Sequence, residues 1–217
     1  MNSFVDPAVL NGVDTLEATL VGKPAPLRMA TPPLRLELRA ATQDVHDRLH
    51  RHAGFAAVQD ATIGLADYQD LLLRLYGFYV PFEAAAAIEP HRSHWLANDL
   101  QALGLKRPLD AIAKCWHVPR LDTAHRKLGG LYVAEGSALG GRELARGLDR
   151  LLGKDVTQGR QFFIGRGAGT GEAWRGYLAR LSAATEPSAH AEIIKGAVET
   201  FAAFEHWLTG WSTSSHG

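Results

Sequence analysis

Leu128-Gly-Gly-Leu-Tyr-Val-Ala-Glu-Gly-Ser-Ala-Leu-Gly-Gly-Arg142 lies inside a run from about Thr123 to Leu152 that reads as one long helix. Its glycines make it informative. Gly129, Gly136, Gly140 and Gly147 are separated by seven, four and seven residues, and at about 100° per residue they fall in one line along one helix face. Each glycine in a helix interior costs about 0.5–1 kcal/mol relative to alanine, so some contact must offset the stripe. One such contact is a second helix backbone at close range, admitted by small residues four apart. The other is a flat ligand laid on bare backbone, with Tyr132 beside it on the same face. The spacing alone leaves both open.

Working outward, the apolar pattern stays helical almost throughout. Leu34, Leu38, Ala41, Val45 and Leu49 recur at three- and four-residue steps, one stripe on a first long helix. A second helix is expected from about Leu65 to Ile88, with Pro81 able to kink it and Glu89-Pro90 stopping it. Trp95 to Leu103 reads as a helix closed by Gly104, and Pro108 to Cys115 as a shorter one. Residues 153–171 are glycine-rich and read as a loop with one turn at most. Two last helices are expected at about Glu172 to Ala184 and Ser188 to Trp211. Alternating β-branched runs with Asn-Gly or Asp-Gly turns are missing. The expected fold is all-α, a single domain over residues 34–211. Residues 1–33, closed by Pro32-Pro33, read as a flexible N-terminal extension, and residues 212–217 as a flexible tail.

Of the ten histidines, His46 stands out by its setting at the edge of the first helix's apolar stripe. Thr42 lies one turn before it and Arg39 two turns before it, at almost the same azimuth. Two turns is roughly 10 Å, about the distance from a porphyrin center to its propionate edge. One helix can therefore offer an imidazole to a metal and, farther along, a guanidinium to a carboxylate. In the competing readings His46 merely edges the packing, or joins His50 and His52 in a zinc or nickel cluster, for which no third ligand of suitable spacing presents itself. Di-iron bundles need inward Glu-x-x-His pairs, and no glutamate here has histidine three residues later.

The Thr42-x-x-x-His46-x-x-Leu49 and Tyr132-Val-Ala-Glu-Gly136-Ser137-x-Leu-Gly140 segments together resemble the proximal and distal helices of bacterial heme oxygenases, most of all the form found beside bacterial phytochromes. The likeness runs over about residues 34–209 and takes in the aromatic last helix (Phe201, Phe204, Trp207). It implies a helical bundle with heme sandwiched between proximal and distal helices. His46 would be the proximal iron ligand, with Thr42 beside it. Gly136 and Gly140 would lie over the distal face, Ser137 beside them. Tyr132 and Arg39 would meet the propionates. The family often has a further basic propionate contact after the distal glycines. Arg142 and Arg146 are available there, with Gly147 where lysine is sometimes found, and Arg175 on the following helix is another candidate.

The resemblance also implies the reaction: heme, as substrate and cofactor, is oxidized by dioxygen and external electrons to biliverdin, carbon monoxide and ferrous iron. A distal face of backbone and small side chains suits attack on a meso carbon, the alpha carbon being expected, with regiochemistry set by propionate contacts such as Arg39 and Tyr132. Electrons must come from a ferredoxin or flavin reductase, because the chain has neither a Gly-x-Gly-x-x-Gly loop nor a cysteine cluster. A bilin-accepting phytochrome is a further expected partner. Two other readings are a heme carrier or sensor that uses the pocket without turnover, and a thiaminase-like helical hydrolase centered on Cys115.

Composition narrows the class. Lys plus Arg and Asp plus Glu each total 23, so net charge is zero and no basic field points to nucleic acid. The single cysteine rules out an internal disulfide and fits a reducing compartment. No run reaches the roughly 18 apolar residues of a membrane span. Met1 to Ala30 lacks the basic start and apolar core of an export signal. A cytoplasmic protein is expected.

Overall fold

The computed structural model describes residues 33–89 and 91–211. Both expected flexible ends fall almost wholly outside these residues. Among the described residues every regular element is helical and no strand occurs.

The first helix, α1 (Leu34–His50), starts directly after Pro33, whose carbonyl accepts from Leu36 N at 2.7 Å. Its buried face is Leu34, Leu38, Thr42 and Leu49. Ala41, expected on that stripe, is exposed, and Thr42 turns inward instead. Burial of its hydroxyl is tolerated because it donates to the Leu38 carbonyl at 2.7 Å. A short α2 (Ala53–Gln59) follows, where the sequence pattern predicts no helix. His52 caps it, Nδ1 accepting from Gly54 N at 3.2 Å.

Helix α3 (Leu65–Ala86) carries Pro81 in its interior. Proline has no N–H for the carbonyl four residues earlier, which is that of Gly77. Cys115 N donates to the Gly77 carbonyl instead, at 2.9 Å. A side chain at Gly77 would also stand 2.4 Å from the Ala113 carbonyl oxygen. The strap between residues 109 and 115 is thus docked through its backbone on a proline-freed carbonyl. It forms only a 3-10 turn, Leu109–Ala111, where a short helix was expected.

Next comes α4 (His91–Ala102). The buried Glu83 carboxylate covers its first turn, accepting from Arg92 N at 2.8 Å and from Ser93 Oγ at 2.5 Å. The glycine-bearing helix, α5 (Ala124–Gly147), begins at Thr123, whose side chain accepts from Arg126 N at 3.1 Å. It ends sooner than expected. The chain makes a separate turn, α6 (Asp149–Leu152), and Asp99 then covers the start of α7 (Gln161–Ile164), accepting from Gln161 N at 2.7 Å and Phe162 N at 2.8 Å. The last helices are α8 (Thr170–Ser182) and α9 (Pro187–Leu208).

Two apolar cores result. One gathers Tyr68, Leu71, Leu72, Phe78, Phe82, Leu96, Leu100 and Phe163, from α3, α4 and α7. The other gathers Leu38, Leu131, Val133, Tyr177, Ile193 and Phe201, from α1, α5, α8 and α9. Helix α5 packs most extensively on α9, and α1 also leans on α9; α1 and α5 meet through Leu38 with Leu131 and Val133, and through Thr42 with Tyr132.

Candidate functional site

The structure divides the glycine stripe. At Gly129 an added Cβ would lie 2.0 Å from the Ile193 carbonyl oxygen, and across the same contact one at Gly196 would lie 2.4 Å from the Arg126 carbonyl oxygen. At Gly147 it would lie 2.0 Å from the Val58 carbonyl oxygen. The two ends of the stripe are close backbone packing, the first of the two contacts that the spacing allows. Its middle is different. Gly136 would meet only the Trp174 ring, at 3.9 Å, and Gly140 nothing within 4 Å. Packing therefore explains Gly129 and Gly147, and leaves Gly136 against the Trp174 ring and Gly140 open.

Tyr132 begins that same face, one turn before Gly136. Its half-buried phenol meets the Thr42 hydroxyl of α1, and both Arg35 and Arg39 act on it electrostatically. Burial pushes its pKa up, the Thr42 contact and the two guanidiniums pulling the other way, so the hydroxyl stays protonated and able to donate. Trp174 and Tyr177 stack at 5.2 Å beside it, with Trp174 6.2 Å from the Tyr132 ring.

One turn on from Thr42 along α1 is His46. Its side chain is 51% exposed, and its ring stands edge-on to Phe201 at 6.4 Å. Partial burial lowers its pKa, and the neighboring His50 and Arg39 lower it further against the pull of Asp47. A half-exposed imidazole held neutral can donate a lone pair to a metal. His52 does not join it: that ring caps α2 and lies 5.3 Å from Trp211. Among the described residues no three His, Cys, Asp or Glu side chains gather as metal ligands, so the competing three-histidine cluster does not form.

The remaining expected residues scatter. Arg39 is exposed, close to Tyr132. Arg175 is exposed on α8, next to Trp174. Ser137 turns toward α3: its Oγ donates to the Ala134 carbonyl at 3.0 Å and meets the buried Tyr79 hydroxyl. Arg142 is drawn to the Gly167 carbonyl. Arg146 is exposed and lies roughly 21 Å along the helix axis from Tyr132 at 1.5 Å per residue, too far for both to hold one propionate edge. Cys115 is buried, and burial raises its thiol pKa. That is the opposite of an activated nucleophile, which removes the support for a cysteine-centered hydrolase.

Sequence reasoning missed three things. Arg35 joins Arg39 near Tyr132, a pair legible only as two cations one turn apart. Trp174 roofs Gly136, with no motif to announce it. Beneath the open turns lies a buried ionic network. Glu135 pairs with Arg92 at 3.2 Å and with Arg166 at 2.8 Å, and Arg92 Nη2 also donates to the Ala134 carbonyl at 3.0 Å. That carbonyl also takes Ser137 Oγ. A carbonyl has two lone pairs, so the two side-chain donors compete with the helix's own N–H at Ala138.

The residue types suit a planar metalloporphyrin with two carboxylates: a neutral imidazole on α1, cations near a donor phenol, and open helix backbone at Gly140. The heme oxygenase family profile matches residues 33–210. Among solved structures, the heme complex of heme oxygenase-1 from the cyanobacterium Synechocystis matches with a TM-score of 0.63 at 17% identity, covering 81% of this chain and 90% of that one. The NO- and CO-bound heme oxygenase from Neisseria meningitidis matches with a TM-score of 0.55 at 23% identity, covering 86% and 98%. The search of curated proteins returned no match. At these identities the two structures bear on the fold, and the all-helical bundle agrees with theirs.

Proposed function

This chain belongs to the heme oxygenase family, an enzyme of heme degradation, and on that premise we propose how its own residues carry the reaction. His46 is the iron ligand, offered from α1 as a neutral imidazole, with Thr42 behind it. Arg39 and Arg35, with the Tyr132 hydroxyl and with Arg175 from α8, hold the propionates. Gly136 and Gly140 form the distal surface. Bound there, heme supplies both the redox iron and the meso carbon that is cleaved, with dioxygen as co-substrate.

The residues' part is binding, orientation and exclusion. Cations and a phenol on one edge fix the rotation of the macrocycle in its plane, and so select the meso carbon, the alpha carbon by our reading. Bare backbone at Gly136 and Gly140 places no acid–base side chain over that face. The Ser137 hydroxyl, tied to Ala134 and Tyr79, is the nearest protic side chain on this stretch and is turned toward α3. Electrons enter from a separate ferredoxin or flavin reductase, and the bilin passes to an acceptor of the phytochrome kind, in the cytoplasm. No described helix is long and apolar enough to cross a membrane.

The observation that carries this reading is the open backbone at Gly140, on a helix whose Gly129, Gly141 and Gly147 are closed by packing. Aerobic turnover tests it. Hemin-loaded protein given a reductase system should lose its Soret band and gain the broad red absorption of a bilin. A persistent Soret band would mean a carrier. His46→Ala should abolish tight ligation and turnover, with partial recovery by added imidazole. An unchanged heme spectrum in that variant would assign the iron to another histidine.

A further inference from the structure

His46 and His50 stand one turn apart on α1, and their Nε2 atoms approach to 3.3 Å. The ring centroids are 4.4 Å apart, farther than the nitrogens, so the Nε2 edges are turned inward. Two imidazole nitrogens bound to one zinc at about 2.0–2.1 Å in tetrahedral geometry are themselves roughly 3.3 Å apart. The two nitrogens share a hydrogen bond at the spacing of a bidentate chelate, and a metal would take the place of the proton between them. Side chains four residues apart share a helix face, so the backbone holds that spacing without a folding transition. Both residues lie on the exposed side of α1, where water can complete the coordination. The His52 ring is committed to its cap, so this is a two-ligand site.

We propose that the heme-free chain binds one divalent first-row cation of the zinc, nickel or copper class between His46 and His50, and that this ion and heme exclude each other. The binding half stands on the geometry of the pair. The exclusion half rests on the reading of His46 as the iron ligand, because one Nε2 lone pair cannot serve two metals. A cell's labile zinc then competes with heme for an unloaded enzyme. The class of cation follows from the donors: imidazole suits zinc, nickel and copper, whereas magnesium and calcium demand oxygen.

The test uses the full chain, heme-free and without a histidine tag. Zinc is titrated against a chromophoric chelator, and hemin is titrated by its Soret band with and without zinc. One zinc should bind per chain, with affinity reduced at least about tenfold in both His50→Gln and His46→Ala. Zinc should raise the hemin concentration for half-saturation in the parent and not in His50→Gln, which keeps the parental heme spectrum. Absence of zinc binding, or binding that survives His50→Gln, overturns the site. Zinc held by both histidines without any effect on the hemin titration overturns the exclusion. If His46→Ala keeps the parental heme spectrum, it is the assignment of the iron ligand that fails, while the zinc titration of heme-free protein still decides the site.

Discussion

A Cβ built on Gly129 would stand 2.0 Å from the carbonyl oxygen of Ile193, a separation that real Cβ atoms essentially never show. Helices α5 and α9 are fixed by this contact. Gly129→Ala must push the two backbones apart, and overpacking of this kind costs about 1–3 kcal/mol or more. Gly140→Ala meets nothing and replaces a poor helix former, a change worth up to about 1 kcal/mol in favor of the fold. Urea unfolding of the heme-free proteins should therefore move in opposite directions for two substitutions on one helix face. Parallel losses in both would mean that Gly140 is packed.

A larger side chain at the same open position separates stability from function. Gly140→Leu should leave heme-free stability within about 1 kcal/mol of the parent, since an exposed helix position tolerates leucine. It should cut aerobic heme turnover by at least about tenfold while some heme binding remains. Full turnover in a folded Gly140→Leu protein would remove the distal face from α5.

How far the sequence reached depended on the kind of signal. The apolar stripes on α1, α3 and α9 were readable because burial imposes a period on many residues at once; α3 was expected to reach Ile88 and stops after Ala86, where Ala87 turns left-handed. The short α2 was not, because a helix of two turns has room for too few apolar residues to show a period, and its cap is a histidine. The strap at Cys115 was misread as helical because the carbonyl it docks on exists only by virtue of Pro81, far away in sequence. At the proposed site, spacing singled out Arg39, Thr42 and His46 on α1 and the glycines on α5. The sorting of the glycines was not: Gly129 and Gly140 look identical in sequence, and only α9 and α2 distinguish packed from open. Arg92 and Arg166 escaped notice since an ionic network has no period at all.

Asp99 gives the pH dependence a feature of its own. Burial raises its carboxyl pKa from 3.8 to about 6, despite backbone donors from Phe162, Gln161 and Gly159 that favor the charged form. The folded state thus binds more protons than the unfolded chain between those values, so stability falls as pH rises through this window. The full cost is present above about pH 6 and is relieved as pH drops toward 4, by roughly 1.4 kcal/mol for every tenfold difference in proton affinity between the folded and unfolded states. His46 and His52, whose pKa values are lowered, act in the opposite sense over the same range, so the comparison with Asp99→Asn isolates the Asp99 contribution. The urea midpoint of heme-free parent should gain on that of Asp99→Asn as pH falls from 7 to 5, on top of a constant loss in the variant from weakening the turn at Gln161–Ile164. A difference between the two that stays level across the window would contradict the raised pKa.

The ionic network under α5 behaves in the opposite sense and reaches the chemistry. Burial alone would raise the Glu135 pKa, but Arg92 and Arg166 together outweigh it and hold the carboxyl below its ordinary value. A depressed acid contributes stability that is complete above the unfolded pKa of about 4.5 and is lost as pH falls through the folded value, so this carboxylate, with Glu205, contributes to the acid limb below the Asp99 window. Glu135→Gln should shrink that limb. Arg92 is only 4% exposed and its Nη2 serves both Glu135 and the Ala134 carbonyl, from a planar guanidinium whose geometry lysine does not share. Arg92→Lys should cost about 2–3 kcal/mol through the unpaired buried groups. It should also leave the Ala134 carbonyl to Ser137 Oγ and its helical N–H, and so change the surroundings of the backbone just before Gly136. The expected functional result is altered heme spectra and a mixture of bilin isomers, measured beside Gly147→Ala as a control for destabilization alone. A single unchanged isomer from Arg92→Lys, made at the parental rate, would show that the network supports the fold without shaping the distal face.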